Sequence, residues 1–292
     1  DRTEELNDFT VSHRDVVWRV HYGTAIDGDW LRMRRMPPSA PHLGPNGLPS
    51  RLPQPIVRAL MHPELRKGGL VYIVGPTGQG KTHTATATVS SRLREYGGIA
   101  FTYEDPPEHP LNGWHVGANG QRGLCSQHQV RPQPGDIDGW ATAMKGALRS
   151  QPAGTPSIMF VGEIRTKAAA EVAMQAAGNG FLVIATGFAS DVASGVNHLL
   201  TQLGPERANI LAYLLRIVIF QVLMDQPRRA GEPESNSKVV QAQICVSPNS
   251  NSRVATIVAS GQVTRLHDEV ARQANHVRSG PDADIWALAG GS

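Results

Sequence analysis

The sequence predicts an α/β protein with a mostly parallel sheet. The first observation is an apolar run at 70–74, followed at once by the pattern G-x-x-x-x-G-K-[ST] at 75–82. The second is a series of further short apolar runs, at 99–103, 158–161 and 181–186, which alternate with segments of helical spacing. Strands that alternate with helices at such lengths form mostly parallel sheets with right-handed crossovers.

The phosphate-binding motif is the strongest single signal in the chain. Its glycines let backbone amides approach an anion, and the helix that follows presents its positive end to the same anion. We expect Lys81 to reach the β- and γ-phosphates of a nucleotide, and the Thr82 hydroxyl to hold Mg²⁺. A glycine-rich turn that fits by accident would lack the strand before it and the helix after it. The motif consists of Gly75, Pro76, Thr77, Gly78, Gln79, Gly80, Lys81 and Thr82.

Composition and charge narrow the range of functions. The 292 residues carry a net charge of +3 and no dense tract of lysine and arginine, so we expect no direct binding of nucleic acid. The two cysteines, Cys125 and Cys245, lack C-x-x-C spacing, which argues against a zinc site or a disulfide framework and favours a reducing cytoplasm. No apolar run is long enough to span a bilayer, and we expect no signal peptide. The chain begins at Asp1 without a methionine, which leads us to expect a missing N-terminal piece.

Residues 1–36 predict three short β-strands separated by turns. Three such strands are too few for an independent core, so we interpret them as the C-terminal part of a larger N-terminal domain or as strands that pack on another surface. Arg32 and Arg34 lie two residues apart and would share one face of a strand, and Arg19 could join them from a neighbouring strand. The pattern alone leaves open whether this face is simply solvated.

Residues 37–66 are predicted to form a proline-rich linker. Seven prolines between positions 37 and 55 favour a semi-rigid connection or an extended wrap over a neighbouring surface. A short helix at 56–61 ends or restarts at Pro63. The remaining residues, 67–292, are assigned to one nucleotide-binding domain that ends in a small helical tail.

The helix after the phosphate loop has an unusual composition. Threonine, a poor helix former, recurs along its first two turns. Ala85, Val89 and Leu93 nevertheless recur at helical spacing and predict a buried stripe. We therefore expect tertiary packing to enforce this helix, which should end at Gly97 and Gly98.

The region from 109 to 135 shows no clear period and is predicted to be irregular. His109, His115 and His128 are scattered through it without the spacing of metal ligands, so we interpret them as loop histidines. Asp136 is predicted to cap a helix that runs to about residue 149.

The later chain continues the alternation of helices and strands. Thr166 is predicted to cap a helix that Gly178 closes. Apolar runs at 217–222 and 239–246 predict the last two strands, and the polar stretch 226–237 between them predicts a turn or a flexible loop.

Carboxylates follow two of the predicted strands. Glu104, Asp105 and Glu108 come after the strand at 99–103, and Glu163 follows the next one. Ligands of doubly wound sheets bind beyond the carboxyl ends of the strands. In nucleotide hydrolases with a phosphate loop, an acidic residue at the position of Glu163 handles Mg²⁺ or the attacking water, although that residue is usually Asp.

Taken together, these motifs resemble those of the secretion ATPase superfamily. The nearest branches are the type IV pilus retraction motors and the ATPases of type IVB secretion and conjugation. The likeness extends from residue 8 to about residue 246. The stretches that carry it are the phosphate loop, 102–108, 147–149 and 160–165.

The resemblance implies a fold, a function and an assembly. The fold would be a RecA-like P-loop NTPase core, preceded by the end of a small PAS-like α+β domain. The function would be ATP hydrolysis with Mg²⁺, coupled to pilus dynamics or substrate transport. The assembly would be a homohexameric ring at the cytoplasmic face of a bacterial inner membrane, peripheral to it and in contact with components of the pilus or secretion platform.

The resemblance also implies roles for individual residues. Lys81 and Thr82 match the Walker A residues, Glu163 matches the Walker B glutamate, and Arg19 and Arg34 resemble the N-terminal arginines that contact phosphates. The Asp box of the family is matched by Glu104, Asp105 and Glu108. The expected catalytic residues are Lys81, Glu104, Glu163 and Arg34. The expected nucleotide-binding residues are Arg19, Arg34, Thr84 and the loop from Gly75 to Thr82. The expected metal ligands are Thr82, Glu104, Asp105 and Glu163.

One departure from the family pattern motivates a rival function. The family has a histidine after the fourth strand, and Phe188 holds the aligned position here. A ring subunit that binds nucleotide but hydrolyses little of it, an adaptor, would fit this change. A RecA-like DNA motor or a small P-loop kinase is a further alternative. The sequence does not distinguish a pilus system from a secretion or conjugation system. It also leaves open whether Glu104 or Glu163 polarises water.

Overall fold

The computed structural model describes residues 8–14, 16–44, 52–131, 139–152, 154–225 and 238–290. These residues form a three-stranded sheet and an eight-stranded sheet. The strands are β1 (Asp8–His13), β2 (Val16–Ala25), β3 (Gly28–Arg35), β4 (Gly69–Val74), β5 (Gly98–Glu104), β6 (Gly113–Val116), β7 (Arg122–Gln129), β8 (Ser157–Val161), β9 (Leu182–Gly187), β10 (Leu215–Asp225) and β11 (Lys238–Val246).

The helices of the described residues cover both faces of the larger sheet. They are α1 (Gln54–Leu60), α2 (Lys81–Tyr96), α3 (Trp140–Ser150), α4 (Lys167–Gly178), α5 (Val192–Leu203), α6 (Ala208–Leu214), α7 (Arg253–Ala259), α8 (Leu266–Arg278) and α9 (Ile285–Leu288). One apolar core packs α3 to α8 on the sheet, and the other packs α1, α2 and α9 on the opposite face. Short 3₁₀ turns precede β4, α6 and α8.

The small sheet is antiparallel, in the order β1-β2-β3. Its three strands agree with the prediction for residues 1–36 and are longer than the apolar runs suggested. Arg19 of β2 lies directly opposite Arg34 of β3 in the register. Side chains of directly paired residues project from the same face, so these two arginines are presented together. The division of the chain at residues 36 and 66 stays a prediction.

The large sheet has the strand order β11-β10-β4-β9-β8-β5-β7-β6. Every pair from β10 to β7 is parallel, and only the pairs with β11 and β6, at the two edges, are antiparallel. The predicted mostly parallel sheet is therefore confirmed. Because β4, β9, β8 and β5 are neighbours, their carboxyl ends meet at one edge of the sheet.

The prediction of an irregular region from 109 to 135 is wrong, because β6 and β7 lie there. Strand β7 has few apolar residues, and its buried positions include Gly123 and Cys125. Gly123 lies so close to Leu93 of α2 that an added Cβ would come within 2.8 Å of the leucine side chain. A strand that packs through a glycine and a cysteine shows little hydrophobic alternation, which explains why the pattern missed it.

Two of the three histidines assigned to loops lie in these strands, so that interpretation is wrong for them. His115 is in β6 and is buried, with its Nε2 bonded to the carbonyl of Leu111 at 2.7 Å. His128 is in β7, where its ring stacks on Tyr103. His109 does lie in a loop, between β5 and β6.

Helix α2 shows why tertiary packing is needed to hold a threonine-rich helix. Ala85, Val89 and Leu93 are fully buried, as the predicted stripe required. The burial extends much further round the helix, because α2 lies against β4, β5, β7, β8 and β9. The buried Thr88 hydroxyl donates a hydrogen bond to the backbone oxygen of Thr84 at 2.8 Å. The cost of burying this polar side chain is thereby offset.

The predicted helix caps have different outcomes. Thr166 caps α4 through a bond from the Ala169 amide at 3.3 Å, and Gly178 is the last residue of that helix. Asp136, the predicted cap of α3, lies outside the described residues, as does the predicted polar loop at 226–237. Helix α3 is described from Trp140, after Gly139.

Candidate nucleotide-binding site

The phosphate loop connects β4 to α2 and depends on its glycines. Gly75, Gly78 and Gly80 all have positive φ, at 155°, 77° and 76°. At Gly75 an added Cβ would also collide with the carbonyl oxygen of Gln221. No residue with a side chain fits that position, so the loop shape follows from the sequence.

Strand β10 holds the loop from the other side. The side-chain amide of Gln221 donates to the carbonyl of Gln79 at 2.7 Å, and the amide of Leu223 donates to Gln79 Oε1 at 2.6 Å. The backbone oxygen and the side-chain oxygen of Gln79 are therefore both bonded to β10. The sheet therefore holds the loop in place through these two bonds.

Lys81 begins α2 and is 8% exposed. Its ammonium donates to the carbonyl of Pro76 at 2.8 Å, across the loop. Burial lowers the pKa of Lys81, and the Glu163 carboxylate opposes this effect. The lysine is thus a buried cation held against the backbone of the phosphate loop.

A cavity of about 460 Å³ opens beside the loop. It brings together residues that are far apart in the sequence and that were predicted to share one site. Gly75 and Pro76 lie at the start of the loop and outside the cavity lining, and Thr84 is buried in α2 behind it. The predicted residues that line the cavity are Thr77, Gly78, Gln79, Gly80, Lys81, Thr82, Glu104, Asp105, Glu163, Arg19 and Arg34.

Glu104 ends β5 and is 2% exposed. Its Oε1 accepts bonds from the Thr102 hydroxyl at 3.0 Å and the Gln127 side-chain amide at 2.8 Å. Its buried Oε2 has no hydrogen-bond partner within the part of the chain that the structure describes. Burial raises the pKa of this carboxyl to about 7, against the opposing effect of the bonds from Gln127 and Thr102. One oxygen is therefore fixed, and the other is available to a water or a cation.

The second carboxylate, Glu163, is held differently. It follows β8, and its Oε2 accepts a bond from Nε of Arg165, its neighbour in the same turn. The turn is tied to β9, because the Thr186 hydroxyl donates to the carbonyl of Gly162 and the Ile164 amide donates to the Thr186 carbonyl. Glu163 is part-exposed in the cavity, with its charge partly neutralised by an arginine.

The arginines of the small sheet reach this cavity from outside the large sheet. Arg19 and Arg34 line it, while Arg32 and Arg35 do not. Arg19 donates to the Glu108 carboxylate at 2.9 Å. The pair is part-exposed, so its contribution to stability is small, about 0 to 1 kcal/mol. The pair matters because it joins the small sheet to residues 105–112, the loop between β5 and β6, which we call the acidic loop.

Sequence reasoning missed a pair of histidines that also lines the cavity. His83 follows the phosphate loop and His109 lies in the acidic loop, with 3.1 Å between Nδ1 of the first and Nε2 of the second. Burial lowers the pKa of His83 to about 4 and also lowers that of His109. Neutral rings can share one hydrogen bond. Only the position of His83 immediately after Thr82 could have marked it as a site residue.

Phe188 lies outside the lining of this cavity. It follows β9, is 60% exposed and does not line the cavity. Phe188, which the resemblance aligns with the histidine of the family, is therefore a surface aromatic in this structure.

The buried carboxyl of Glu104 leads to a pH-dependent cost in stability. In the folded chain Glu104 keeps its proton up to about pH 7. In the unfolded chain it releases that proton near its ordinary pKa of 4.5. Stability therefore falls as pH rises from about 4.5 to 7 and is lowest above that window. We expect Glu104→Gln to raise the free energy of unfolding by about 3 kcal/mol at pH 8 and by about 1 kcal/mol at pH 5.

Urea unfolding at the two pH values measures this difference. Glu95→Gln, at an exposed position of α2, is the matched control and should change stability little at either pH. If Glu104→Gln raised the free energy of unfolding equally at pH 5 and pH 8, the raised pKa of the Glu104 carboxyl would be contradicted.

The chain matches known proteins over most of its length. A family model described as "Type II/IV secretion system protein" matches residues 8–280. The type IV pilus assembly ATPase PilB of Thermus thermophilus is 35% identical over 150 residues, which cover 51% of this chain and 15% of that protein. PilB of Acinetobacter baylyi is 31% identical over 211 residues, 72% of this chain and 32% of the relative. The chain thus spans about a third or less of the length of these relatives.

Solved structures show the same fold. The pilus retraction motor PilT with bound ADP has a TM-score of 0.67 at 22% identity, covering 89% of this chain and 68% of that one. The ATPase DotB of Legionella pneumophila has a TM-score of 0.64 at 22% identity, covering 93% and 69%. The predicted RecA-like α/β fold with a small N-terminal sheet is therefore confirmed. Among the described residues, no helix has the length and apolar character needed to cross a membrane.

Proposed function

The chain belongs to the type II/IV secretion system protein family, and on this premise we propose that it hydrolyses ATP as a motor of a type IV pilus or a type IV secretion or conjugation system. The observation that carries the proposal is the composition of one cavity. A phosphate loop, two carboxylates from different strand ends and two arginines from the small sheet all line it. Phosphoryl transfer depends mainly on positioning and charge neutralisation, and these groups supply both.

Each side chain has a role that its surroundings support. The loop amides and Lys81 would hold the β- and γ-phosphates, because Lys81 is a buried cation beside them. Arg34 would offset charge on the terminal phosphate from the outer side of the cavity. Arg19 would contribute less directly, since Glu108 already accepts its bond.

Glu104 is the better candidate for orienting the attacking water. Its Oε2 is buried and unpartnered among the described residues, whereas the carboxylate of Glu163 is bonded to Arg165. A carboxylate with a pKa near 7 is also suited to accept a proton at neutral pH. Glu163 would then lie closer to the role of a metal ligand.

The donor set around the loop fits Mg²⁺. This ion prefers oxygen ligands, keeps several waters and is usually bound through one or two carboxylates and substrate phosphates. The Thr82 hydroxyl and the Glu163 carboxylate are the first candidates to hold it, and Glu104 and Asp105 are the second candidates. When bound with the nucleotide, the ion would neutralise phosphate charge.

The position of the small sheet suggests how hydrolysis could be coupled to motion. This sheet supplies Arg19 and Arg34 to the cavity, so a change at the terminal phosphate alters its contacts. In the proposed motor, a shift of the sheet over the nucleotide is the two-state element. We propose a homohexameric ring, peripheral at the cytoplasmic face of a bacterial inner membrane, that contacts components of a pilus or secretion platform and does not bind nucleic acid.

An adaptor that binds nucleotide without turnover is the second candidate. The exposed Phe188, outside the cavity lining, favours it because the family histidine is absent from that position. The two functions predict the same affinity for nucleotide and differ only in phosphate release.

Two measurements on the purified chain test the proposal. Binding of a fluorescent ATP analogue gives the affinity, and phosphate release gives turnover, each recorded together with the oligomeric state from light scattering. The motor requires both binding and release. Binding without release in any assembled state would replace the motor with the adaptor. Stimulation by DNA, or phosphate transfer to a small acceptor, would instead support a DNA motor or a kinase.

A further inference from the structure

We propose that Gln127 of β7 is a positioning residue that holds Glu104 and the acidic loop in place for the hydrolysis proposed above. This inference rests on that function and concerns a side chain that does not line the cavity itself. Its effect would pass through Glu104, the carboxylate that orients water.

The geometry consists of four hydrogen bonds from one side-chain amide. Gln127 Nε2 donates to Glu104 Oε1 at 2.8 Å and to the carbonyl of His109 at 2.8 Å. Gln127 Oε1 accepts from the amides of Leu111 and Asn112 at 2.9 and 3.3 Å. A glutamine amide has two donor hydrogens and an acceptor oxygen, so its whole bonding capacity is used here.

The register of the sheet explains how the amide reaches these groups. Strand β7 runs parallel to β5, with Gln127 beside Thr102. Thr102 lies two residues before Glu104, the last residue of β5. The Gln127 side chain therefore reaches Glu104 from the neighbouring strand. The contact is reinforced from the loop, because Asn112 Oδ1 accepts from the Gln127 backbone amide at 3.1 Å.

This single residue joins both ends of the acidic loop. Glu104 is the last residue of β5, and Leu111 and Asn112 lie just before β6. Between them are Asp105, Glu108 and His109, which line the cavity. Loss of the amide would release the loop and free the Glu104 carboxylate to rotate, so that Oε2 no longer has a fixed direction.

The phosphate loop is held by a different strand. Gln221 and Leu223 of β10 bind Gln79, and β10 lies on the opposite side of β4 from β7. A change at Gln127 should therefore leave nucleotide affinity intact and reduce the rate of the chemical step. This separation between binding and turnover distinguishes a positioning role from a general loss of structure.

Two substitutions test the proposal in the full chain. Gln127→Met keeps the length of the side chain and removes all four bonds. Gln127→Glu keeps the shape but removes both donors and sets a carboxylate against Glu104. We expect each to lower kcat by about 10- to 100-fold, because small misplacements of a reacting group have effects of this size. The affinity for a fluorescent ATP analogue should stay within about threefold of the wild type.

The matched control is Gln243→Met, the same substitution at an exposed position of β11, on the far edge of the sheet. It should change neither kcat nor affinity. Thermal unfolding of each variant shows that it is folded. A kcat within threefold of the wild type for Gln127→Met, or a loss of affinity as large as the loss of kcat, would overturn the proposal.

Hydrogen exchange keeps this test separate from that of the proposed function. The amides of Leu111 and Asn112 should exchange at least about tenfold faster in Gln127→Met, whether or not the chain hydrolyses ATP. Unchanged exchange would overturn the positioning role. Absence of turnover in the wild type, with faster exchange in the variant, would overturn the hydrolytic function and leave Gln127 as the residue that holds the loop.

Discussion

Replacing Lys81 with alanine is expected to lower ATP turnover by about 100- to 1,000-fold, the usual effect of removing one donor that stabilises transition-state charge. Lys81 is buried at the start of α2, and its ammonium donates a hydrogen bond to the Pro76 carbonyl at 2.8 Å. Among the described residues it is the lysine that lines the cavity, so alanine removes a buried cation from beside the phosphate loop. Phosphate release at saturating ATP measures the effect.

Lys67→Ala is the matched control for this prediction. Lys67 is exposed and forms a surface ion pair with Glu64 at 2.6 Å, away from the cavity. Removing such a pair should leave turnover unchanged. Equal and nonzero rates for the wild type and Lys81→Ala would show that the activity comes from another site or from a contaminant.

Arg34→Ala is expected to have the larger effect, a loss of turnover of about 10³-fold or more, if its guanidinium acts as an arginine finger. Arg34 belongs to the small sheet, yet it lines the same cavity as Lys81. Under the proposed function, Arg34 would meet the charge that develops on the terminal phosphate. Nucleotide affinity should change much less, because the loop amides and Lys81 remain.

The strand itself offers a matched control. Arg32→Ala removes the same side chain two residues earlier in β3, where it does not line the cavity. Turnover should then stay near the wild-type value. A change of less than about threefold for Arg34→Ala would remove this arginine from the catalytic arrangement, given the size of finger effects.

Local patterns were sufficient for the framework of the fold. The glycines at 75, 78 and 80 take backbone conformations that favour glycine, so a motif match correctly placed a strand, a loop and a helix in order. The apolar runs that became β4, β5, β8 and β9 are strands buried on both faces, which makes them continuous and easy to recognise. Glu104 and Glu163 could be assigned to one edge because they follow parallel strands.

The last two strands at one end of the sheet, β7 and β6, were less visible. Strand β7 is buried on one side through Gly123 and Cys125, and it was missed together with β6. Without β7 there was no reason to consider Gln127, whose partners lie 15 to 23 residues away in the chain. A glutamine in an unrecognised strand carries no signal of its own.

The sequence by itself determined a phosphate loop, a mostly parallel sheet and the strand ends at which acidic residues gather, because each depends on residues adjacent in the chain. Only the tertiary structure decided that His83 meets His109 and that Gln127 holds Glu104. It also places Arg19 and Arg34 in one cavity with Lys81, which the residue pattern left open and only the family resemblance implied. These contacts join separate elements; Arg19 and Glu108, for example, are 89 positions apart. Contacts of this kind have no period along the chain, since they arise from the packing of whole elements against one another.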